Sequence, residues 1–299
     1  MSNLYDVIII GGGPAGLTSA VYARRAGKTA LVIEKNTFGG QITWSPRVEN
    51  FPTIPSASGA EIGDRLLSQA MEQGADVELE EVISVEDRGS TKLVKCESGA
   101  EFEGKALIVA TGAKPRMLRL PKEEELVGNG VCFCAVCDGA FYKDKVVAVN
   151  GGGNSALQDA VLLSEKCSKV YLIHRRDVFR GEQKLVDVLK EKENVEFVLG
   201  VSIAELLGDG DLKGVKLTDG REIALDGLFV AIGHEPQNEI FANLLSLNKQ
   251  GYADSGEDCL TKTKGVYVAG DCRRKSVHQL TTAVADGAVA ALAAVAEID

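Results

Sequence analysis

Short runs in which every position is apolar punctuate the chain, and most of them end at glycine. Val7 to Ile10 is the first. An unbroken apolar run of that length predicts a strand buried on both faces, as in a parallel sheet. Pro14 to Ala26 then reads as a helix stopped by Gly27, and Thr29 to Ile33 as a second buried strand ending at Glu34. The same order recurs downstream. A strand from Val146 to Val149, a helix to about Glu165 and a strand from Val170 to Ile173 follow one another. Three further apolar strands close at Gly112, Gly233 and Gly270 in "KALIVATG", "DGLFVAIG" and "GVYVAG". Between the first pair of strands and the repeat, "ADVELEEVISVED" and "TKLVKCESGAEFEG" carry strand-like patches. A helix is predicted to begin near Thr281 in "QLTTAVADGAVAALAAV", and its apolar part, "AVAALAAVA", reads as buried.

Composition narrows the classes. A length of 299 residues suggests about two domains, and 45% apolar residues allow a sizeable core. The net charge of −10 argues against a nucleic-acid surface, which needs a basic stripe to replace counterions. The start "MSNLYDVIIIGGG" has no basic region or cleavage-like site. No apolar run approaches the roughly 18 residues of a membrane span. A cytoplasmic protein with no membrane partner is therefore expected. Such a chain keeps its seven cysteines reduced unless a pair is catalytic, and the odd count leaves at least one free thiol.

The glycines between strand and helix carry the chemistry. Gly11, Gly13 and Gly16 form G-x-G-x-x-G, with Pro14 and Ala15 opening the helix. Gly11 makes the tight turn, Gly13 lets a pyrophosphate approach the backbone, and Gly16 lets helix and strand pack closely. The helix N-terminus offers N–H groups and a positive dipole end to the phosphates. Glu34 lies 23 residues after Gly11, where it can accept hydrogen bonds from ribose hydroxyls. In the second unit Gly151, Gly153 and Ala156 take the glycine-type positions, with Asn154 and Ser155 between them. Counting 24 residues from Gly151 reaches Arg175 instead of an acid, in the run "HRRDVFR". A carboxylate there would repel a 2′-phosphate, whereas the guanidinium groups of Arg175, Arg176 and Arg180 beside His174 can bind one in a forked geometry. The acid-ended unit suits FAD and the arginine-ended unit suits NADPH. Together they imply electron flow from nicotinamide to flavin and onward.

The expected fold is α/β, with two Rossmann-like three-layer dinucleotide-binding domains and the second inserted into the first. The alternation of strands and helices predicts parallel sheets covered by helices on both faces. Residues 1–114 and 242–299 form the FAD-binding domain, and residues 115–241 the NADPH-binding domain. Gly112 and Gly270 stand at strand exits. Asp271, next to Gly270, is placed to reach the ribityl hydroxyls of FAD. The helix near Thr281 can aim its positive end at the flavin pyrimidine.

Cys132, Cys134 and Cys137 fall within six residues in "CFCAVCDG". Structural zinc needs four ligands, and these supply three at an odd spacing, so no metal is expected. A structural disulfide across so short a loop gains little entropy. A C-x-x-C pair in a cytosolic chain reads best as redox-active, which selects Cys134 and Cys137. Cys132 then reads as a small buried hydrophobe. Two other function classes remain. A dithiol oxidase would need the cysteines but not "HRRDVFR". A non-catalytic dinucleotide sensor would not need C-x-x-C beside Asp138.

The motifs "GGGPAG", "GGQITWSPRVENFP", "CAVCDG", "GGGNSA", "HRRDVFR" and "GVYVAGDC", in that order along nearly the whole chain, resemble the low-molecular-weight bacterial thioredoxin reductases. The resemblance implies an NADPH-dependent flavoprotein disulfide reductase, expected as a homodimer. It implies that Gly39, Gly40, Gln41 and Asn50 line the flavin, that Asp271 holds the ribityl chain and Gln279 the ring end. It further implies that Cys137 faces the flavin, Cys134 attacks the thioredoxin disulfide, and Asp138 is the general acid. Linkers at about 113–117 and 233–243 would let the inserted domain rotate, so that the cysteine pair meets flavin and thioredoxin in turn. The chain departs from the family at His278, where Arg commonly precedes Gln279, and at Trp44 and Arg47, where small polar residues are common.

Overall fold

A computed structural model describes residues 4–298. In chain order the elements are β1 (Leu4–Ile10), α1 (Pro14–Arg25), β2 (Ala30–Glu34), α2 (Gly59–Glu72), β3 (Asp76–Leu79), β4 (Val82–Asp87), β5 (Lys92–Cys96), β6 (Glu101–Val109) and β7 (Ala113–Pro115). There follow α3 (Glu123–Leu126), β8 (Val131–Cys132), α4 (Ala135–Asp138), β9 (Val146–Asn150), α5 (Asn154–Ser164), β10 (Lys169–His174), α6 (Gln183–Lys190) and β11 (Val195–Leu199). The remainder are β12 (Ile203–Asp209), β13 (Asp211–Leu217), β14 (Glu222–Ala224), β15 (Gly227–Val230), β16 (His234–Pro236), β17 (Val266–Val268) and α7 (Leu280–Ile298). The chain divides into two compact units, Met1–Lys114 with Glu235–Asp299, and Pro115–His234.

The first unit is built on a sheet in which β3, β2, β1 and β6 run parallel in that order. The first half of β6 pairs antiparallel with β5, and the second half pairs parallel with β17. The all-apolar run of β1 is explained by its two covered faces. Val7 and Ile9 join Val32 in one core cluster, while Ile8 and Ile10 join Leu31 and Ile33 in the other. This is the period-2 alternation of a strand buried on both sides. Helices α1 and α7 fill the first cluster through small side chains, among them Ala20, Ala23, Ala290 and Ala291. Their approach is close enough that a Cβ on Gly287 would lie 2.2 Å from the Ala15 carbonyl oxygen. Ser19 Oγ donates to both the Ala15 and Gly287 carbonyls and ties the crossing.

Helix α7 is the one helix, among the described residues, that is long and apolar enough to cross a membrane by length and composition. Here it buries Ala283, Gly287, Ala290, Ala291 and Ala294 together with the charged Asp286, and leaves Val289 and Leu292 exposed.

The second unit has an all-parallel sheet ordered β11, β10, β9, β15, β8. Helices α5 and α6 cover one face through Leu157, Leu163, Val186 and Leu189. The other face is covered not by helices, as the sequence reading expects, but by the antiparallel meander β12, β13, β14. Ile203, Leu206, Leu212, Val215 and Leu217 of that meander pack on Ile173, Val198, Leu228 and Val230. The segment "ELLGDGDLKGVKLTDG" cannot sustain a helix, because Gly208, Gly210 and Gly220 all take positive φ. On the corresponding face of the first unit, Phe241, Leu244 and Leu245 pack beside Val82, Val85 and Val94 of the β4–β5 hairpin.

The two crossings of the chain pair with each other as a ribbon of β7 and β16. The chain returns to the first unit at Glu235, ahead of the 242 boundary expected from sequence. The reason is Asn238. Its Nδ2 donates to the Gly251 and Cys272 carbonyls, and it is 1% exposed, so residues from there onward belong to the first core.

Candidate active site

The turn between β1 and α1 forms as the glycine spacing requires. Gly11 has φ +108°, and a Cβ there would lie 2.3 Å from the Ala110 carbonyl oxygen. At Gly16 a Cβ would lie 1.9 Å from the Gly11 carbonyl oxygen. Around Gly13, by contrast, nothing comes closer to a Cβ position than the Gly39 and Gly40 backbone at 4.0 Å. Gly13 is also the N-cap of α1, and no side chain caps that helix. The helix end therefore keeps its N–H groups for an anion. Glu34 is held at the tip of β2 by two backbone donors. Gly12 N donates to Oε2 at 2.7 Å and Asn36 N to Oε1 at 2.9 Å. Each carboxylate oxygen keeps lone-pair capacity for ribose hydroxyls.

Of the other candidates of the first unit, Gly39, Gly40 and Gly270 lie against this turn, while Gln41, Asn50 and Gln279 have partners elsewhere. Gly39 N donates to the Gly12 carbonyl at 2.8 Å. Gly40, at φ +66°, lies against Gly13, with the Gly13 Cα 3.1 Å from where its Cβ would be. Gln41 Nε2 donates to the Ala113 carbonyl at 2.7 Å, just past Gly112. Asn50 Nδ2 and Gln279 Oε1 meet at 3.4 Å, although 229 positions separate them. Gly270, at φ +80°, faces the Ala15 methyl group, with 2.9 Å between that methyl and a Cβ position. Pro14 occupies the first helical position of α1, and Ala15 is 4% exposed, so its backbone rather than its side chain is what a ligand can meet.

Asp271 stands over a buried ionic cluster that sequence reasoning missed. Asp286 of α7 accepts from Gly270 N at 3.0 Å, from Arg273 Nε and Nη2 at 2.8 Å each, and from Lys275 Nζ at 3.1 Å. Burial pushes the Asp286 carboxyl up, but Arg273 and Lys275 outweigh it and hold it below the usual carboxylate range. Lys275 Nζ also pairs with Asp271 Oδ1 at 3.1 Å, off the line of a hydrogen bond. That oxygen is buried and has no hydrogen-bond donor. Such an orphan is costly unless a donor reaches it. A ribityl hydroxyl is a group of the right kind, so the donor set of this unit fits a flavin dinucleotide. An acid in the middle of an alanine-rich apolar helix is the available sequence signal for Asp286.

The second glycine turn has the same local logic with a different end. A Cβ on Gly151 would lie 2.4 Å from the Ala231 carbonyl oxygen, and the adjoining Ala156 is fully buried. Gly153 is the N-cap of α5, again without a side-chain cap, and a Cβ there would meet nothing within 4 Å. Ser155 is exposed in the first turn. Arg175, Arg176 and Arg180 are all exposed beyond the end of β10. Their charges converge on His174, whose pKa is lowered by burial first and then by Arg180, Arg176 and Arg175. Three exposed guanidinium groups beside an uncapped helix end concentrate positive charge where an anion can be held.

Two residues of this group play other parts than the sequence reading gives them. His174 is 5% exposed. Its ring stacks on Phe179 at 5.5 Å and sits directly under Gly152, where a Cβ would fall 2.2 Å from it. It supports the turn from below, and its Nε2 is buried without a partner. Asn154 commits both ends of its amide to Glu182. Nδ2 donates to Oε1 at 3.0 Å, and Oδ1 accepts from Glu182 N at 2.7 Å.

Cys134 and Cys137 form a disulfide with S–S 2.08 Å. Cys96, Cys132, Cys167, Cys259 and Cys272 are free and buried. Cys134 is the N-cap of α4, and its Sγ accepts from Cys137 N at 3.1 Å. A sulfur in that position is the one favoured as thiolate once the bond is reduced. Val136, between the two cysteines, is 63% exposed. Asp138 ends the same helix, and burial raises its carboxyl to about 6. Asp159, on α5 against which α4 packs, is raised by burial to about 7. Cys132 Sγ lies 3.3 Å from Tyr142 Oη, and burial pushes this thiol up to about 12, so it stays neutral and inert.

Residues 5–287 match the family described as Pyridine nucleotide-disulphide oxidoreductase. A thioredoxin reductase of Mycoplasma genitalium is 40% identical over 97% of this chain and 94% of its own length. One of Bacillus subtilis is 40% identical over 97% and 93%. The crystal structure of thioredoxin reductase from Streptococcus pyogenes MGAS5005 superposes with a TM-score of 0.94 at 33% identity, covering 99% of both chains. The chain belongs to the pyridine nucleotide-disulphide oxidoreductases, among the thioredoxin reductases.

Proposed function

We propose that the protein reduces the disulfide of thioredoxin with electrons from NADPH, carried through FAD and the Cys134–Cys137 pair. The observation that carries this reading is the placement of a C-x-x-C disulfide and Asp138 on one short helix, in the same unit as an arginine-ended nucleotide turn. A nucleotide-binding module alone would need neither the disulfide nor an acid raised by burial beside it.

Gly11, Gly13, Gly16 and Glu34 would hold the FAD pyrophosphate and ribose. Gly40, Gln41, Asn50, Asp271 and Gln279 would hold the remainder of that cofactor. A bound flavin supplies a two-electron relay between a hydride donor and a disulfide. Arg175, Arg176 and Arg180 would bind the 2′-phosphate of NADPH, with the pyrophosphate over Gly153 at the N-terminus of α5. The protein's own residues then manage thiolate and proton. The Cys137 N–H directed at Cys134 Sγ stabilises the Cys134 thiolate, which attacks the substrate disulfide. Cys137 resolves the mixed disulfide and releases the second thiol of the substrate. Asp138, protonated below about pH 6, supplies the proton a leaving thiolate requires. The exposed Val136 offers an apolar contact to the partner beside the disulfide.

The test is anaerobic NADPH oxidation coupled to a dithiol reporter, with and without a thioredoxin from the same organism. Thioredoxin-dependent turnover is expected. Reporter reduction that ignores thioredoxin, or a requirement for oxygen as acceptor, would replace this reading with a different reductase or with a dithiol oxidase.

A further inference from the structure

The segment from Arg175 to Glu182 is a surface loop, yet it is pinned at successive points. At its start, the His174 ring is trapped between Gly152 and Phe179. In its second half, Arg180 N and Gly181 N both donate to the single carbonyl of Gly152, at 2.8 and 3.2 Å. Gly181 fits so tightly that a Cβ would lie 2.5 Å from Leu157 Cδ1 and 2.9 Å from Asn154 Oδ1. At its end stands the reciprocal pair of Asn154 and Glu182, with both hydrogen bonds formed. Asn154 is the first residue of α5 and Glu182 the N-cap of α6, and neither side chain caps its own helix. The pair therefore joins two helix starts, with the arginine loop between them.

We infer that the Asn154–Glu182 pair is a positioning clamp that holds the arginine loop against the N-terminus of α5 and thereby sets preference for a 2′-phosphorylated nucleotide. The inference rests on reading the second unit as the NADPH site. Exposed arginines carry large rotamer freedom, and their forked contacts with a phosphate need the backbone beneath them fixed. Arg180 sits two residues from Glu182 and shares the Gly152 anchor with Gly181. Loosening the clamp would release Arg180 more than the turn itself, because Gly151 and Gly153 are fixed by β9 and α5. The loss should fall on the 2′-phosphate and spare the rest of the nucleotide. The clamp also gives a role to an acidic side chain at the edge of an anion site. Its carboxylate is occupied as the acceptor for the Asn154 amide.

The test is calorimetric titration of the holoenzyme with 2′,5′-ADP and with 5′-AMP, fragments that differ only in the 2′-phosphate. The parent should prefer 2′,5′-ADP. Asn154→Ala, which removes both bonds, should weaken 2′,5′-ADP by roughly three- to tenfold, the range of one net hydrogen bond, and leave 5′-AMP unchanged. Glu182→Ala should fall between parent and Asn154→Ala. Glu182→Gln keeps an acceptor for the Asn154 amide and drops the charge, so it should bind 2′,5′-ADP at least as tightly as the parent. The Michaelis constant for NADPH, and not that for NADH, should follow the same order. Equal losses on both fragments would overturn the clamp and make Asn154 a general support of the turn. Unchanged affinity in Asn154→Ala would overturn it outright. A parent that failed to prefer 2′,5′-ADP would instead remove the NADPH reading, and the clamp with it.

Discussion

Replacing Asp138 with asparagine separates the two consequences of burying that carboxyl. Burial raises it from the ordinary 3.8 to about 6. At pH 7 a group with that value is neutral about one time in ten, against about one in 1,600 for an ordinary carboxyl. The fold thus enlarges the supply of proton donor by roughly 150-fold, equivalent to about 3 kcal/mol. The Asp138→Asn variant would keep the shape and lose the proton. Thioredoxin reduction should then slow by roughly 10²- to 10⁴-fold, the usual contribution of a positioned acid. In the parent, kcat/KM for thioredoxin should fall as pH rises through about 6, and that limb should vanish in Asp138→Asn. Anaerobic stopped-flow bleaching of the flavin by NADPH should be unchanged. The substitution acts on stability with the opposite sign to its effect on activity. Between about 3.8 and 6 the folded chain holds a proton that the unfolded chain releases, so this residue's contribution to stability is full below 3.8 and is lost as pH rises through 6. Asp138→Asn should therefore raise Tm at pH 7 and 8 and leave it unchanged near pH 3.5. A variant that kept the parent pH limb would refute the role of Asp138 as acid. One that was less stable than the parent at pH 8 would refute the burial argument beneath it.

Removing both guanidinium groups with Arg175→Ala and Arg176→Ala should raise KM for NADPH by roughly 10²-fold or more, each charge-assisted contact contributing about 1.5–3 kcal/mol, and barely alter KM for NADH; equal changes would sink the assignment. Cys137→Ser should trap thioredoxin as a mixed disulfide visible on a non-reducing gel, whereas Cys134→Ser should not, and the reverse pattern would exchange the two roles. Cys132→Ser should retain activity, because this thiol is buried against Tyr142 and held neutral by burial, and any loss should appear in Tm. Gly152→Ala would place a methyl group 2.2 Å from the His174 ring, so it should lower Tm and weaken NADPH binding together; normal values for both would show that the ring can move aside.

Both glycine turns are legible from the chain because their parts are contiguous. Strand, turn and helix lie within about two dozen residues, and the steric demands at Gly11, Gly16 and Gly151 are local. The disulfide pair is legible for the same reason. What escapes is assembled by contacts between elements, which no local spacing announces. Asp286 meets Arg273 and Lys275 only when α7 folds back beneath β17, and Asn154 meets Glu182 across 28 positions. His174 reads as a ligand-binding residue because it adjoins the arginines, but the strand alternation of β10 turns its ring inward under Gly152. The meander of the second unit is not legible, because its short strands between Ile203 and Ala224 are broken by Gly208, Gly210 and Gly220 and form no long apolar run. The return of the chain at Glu235 depends on Asn238, a polar residue whose burial no pattern of apolar positions reports.

The ribbon of β7 and β16 makes the second unit a cassette. Its entry and exit are neighbouring strands, so the host core is interrupted at a single point and the ends of the insert are already side by side. Closing such a gap costs little loop entropy, and the excised piece would not need to bring distant termini together. A second nucleotide unit can therefore be lodged inside the first without reorganising either sheet. The same arrangement makes the segment from Pro115 to His234 the natural unit of exchange with other reductases. A transplanted copy would carry the arginine turn and the disulfide together as one block.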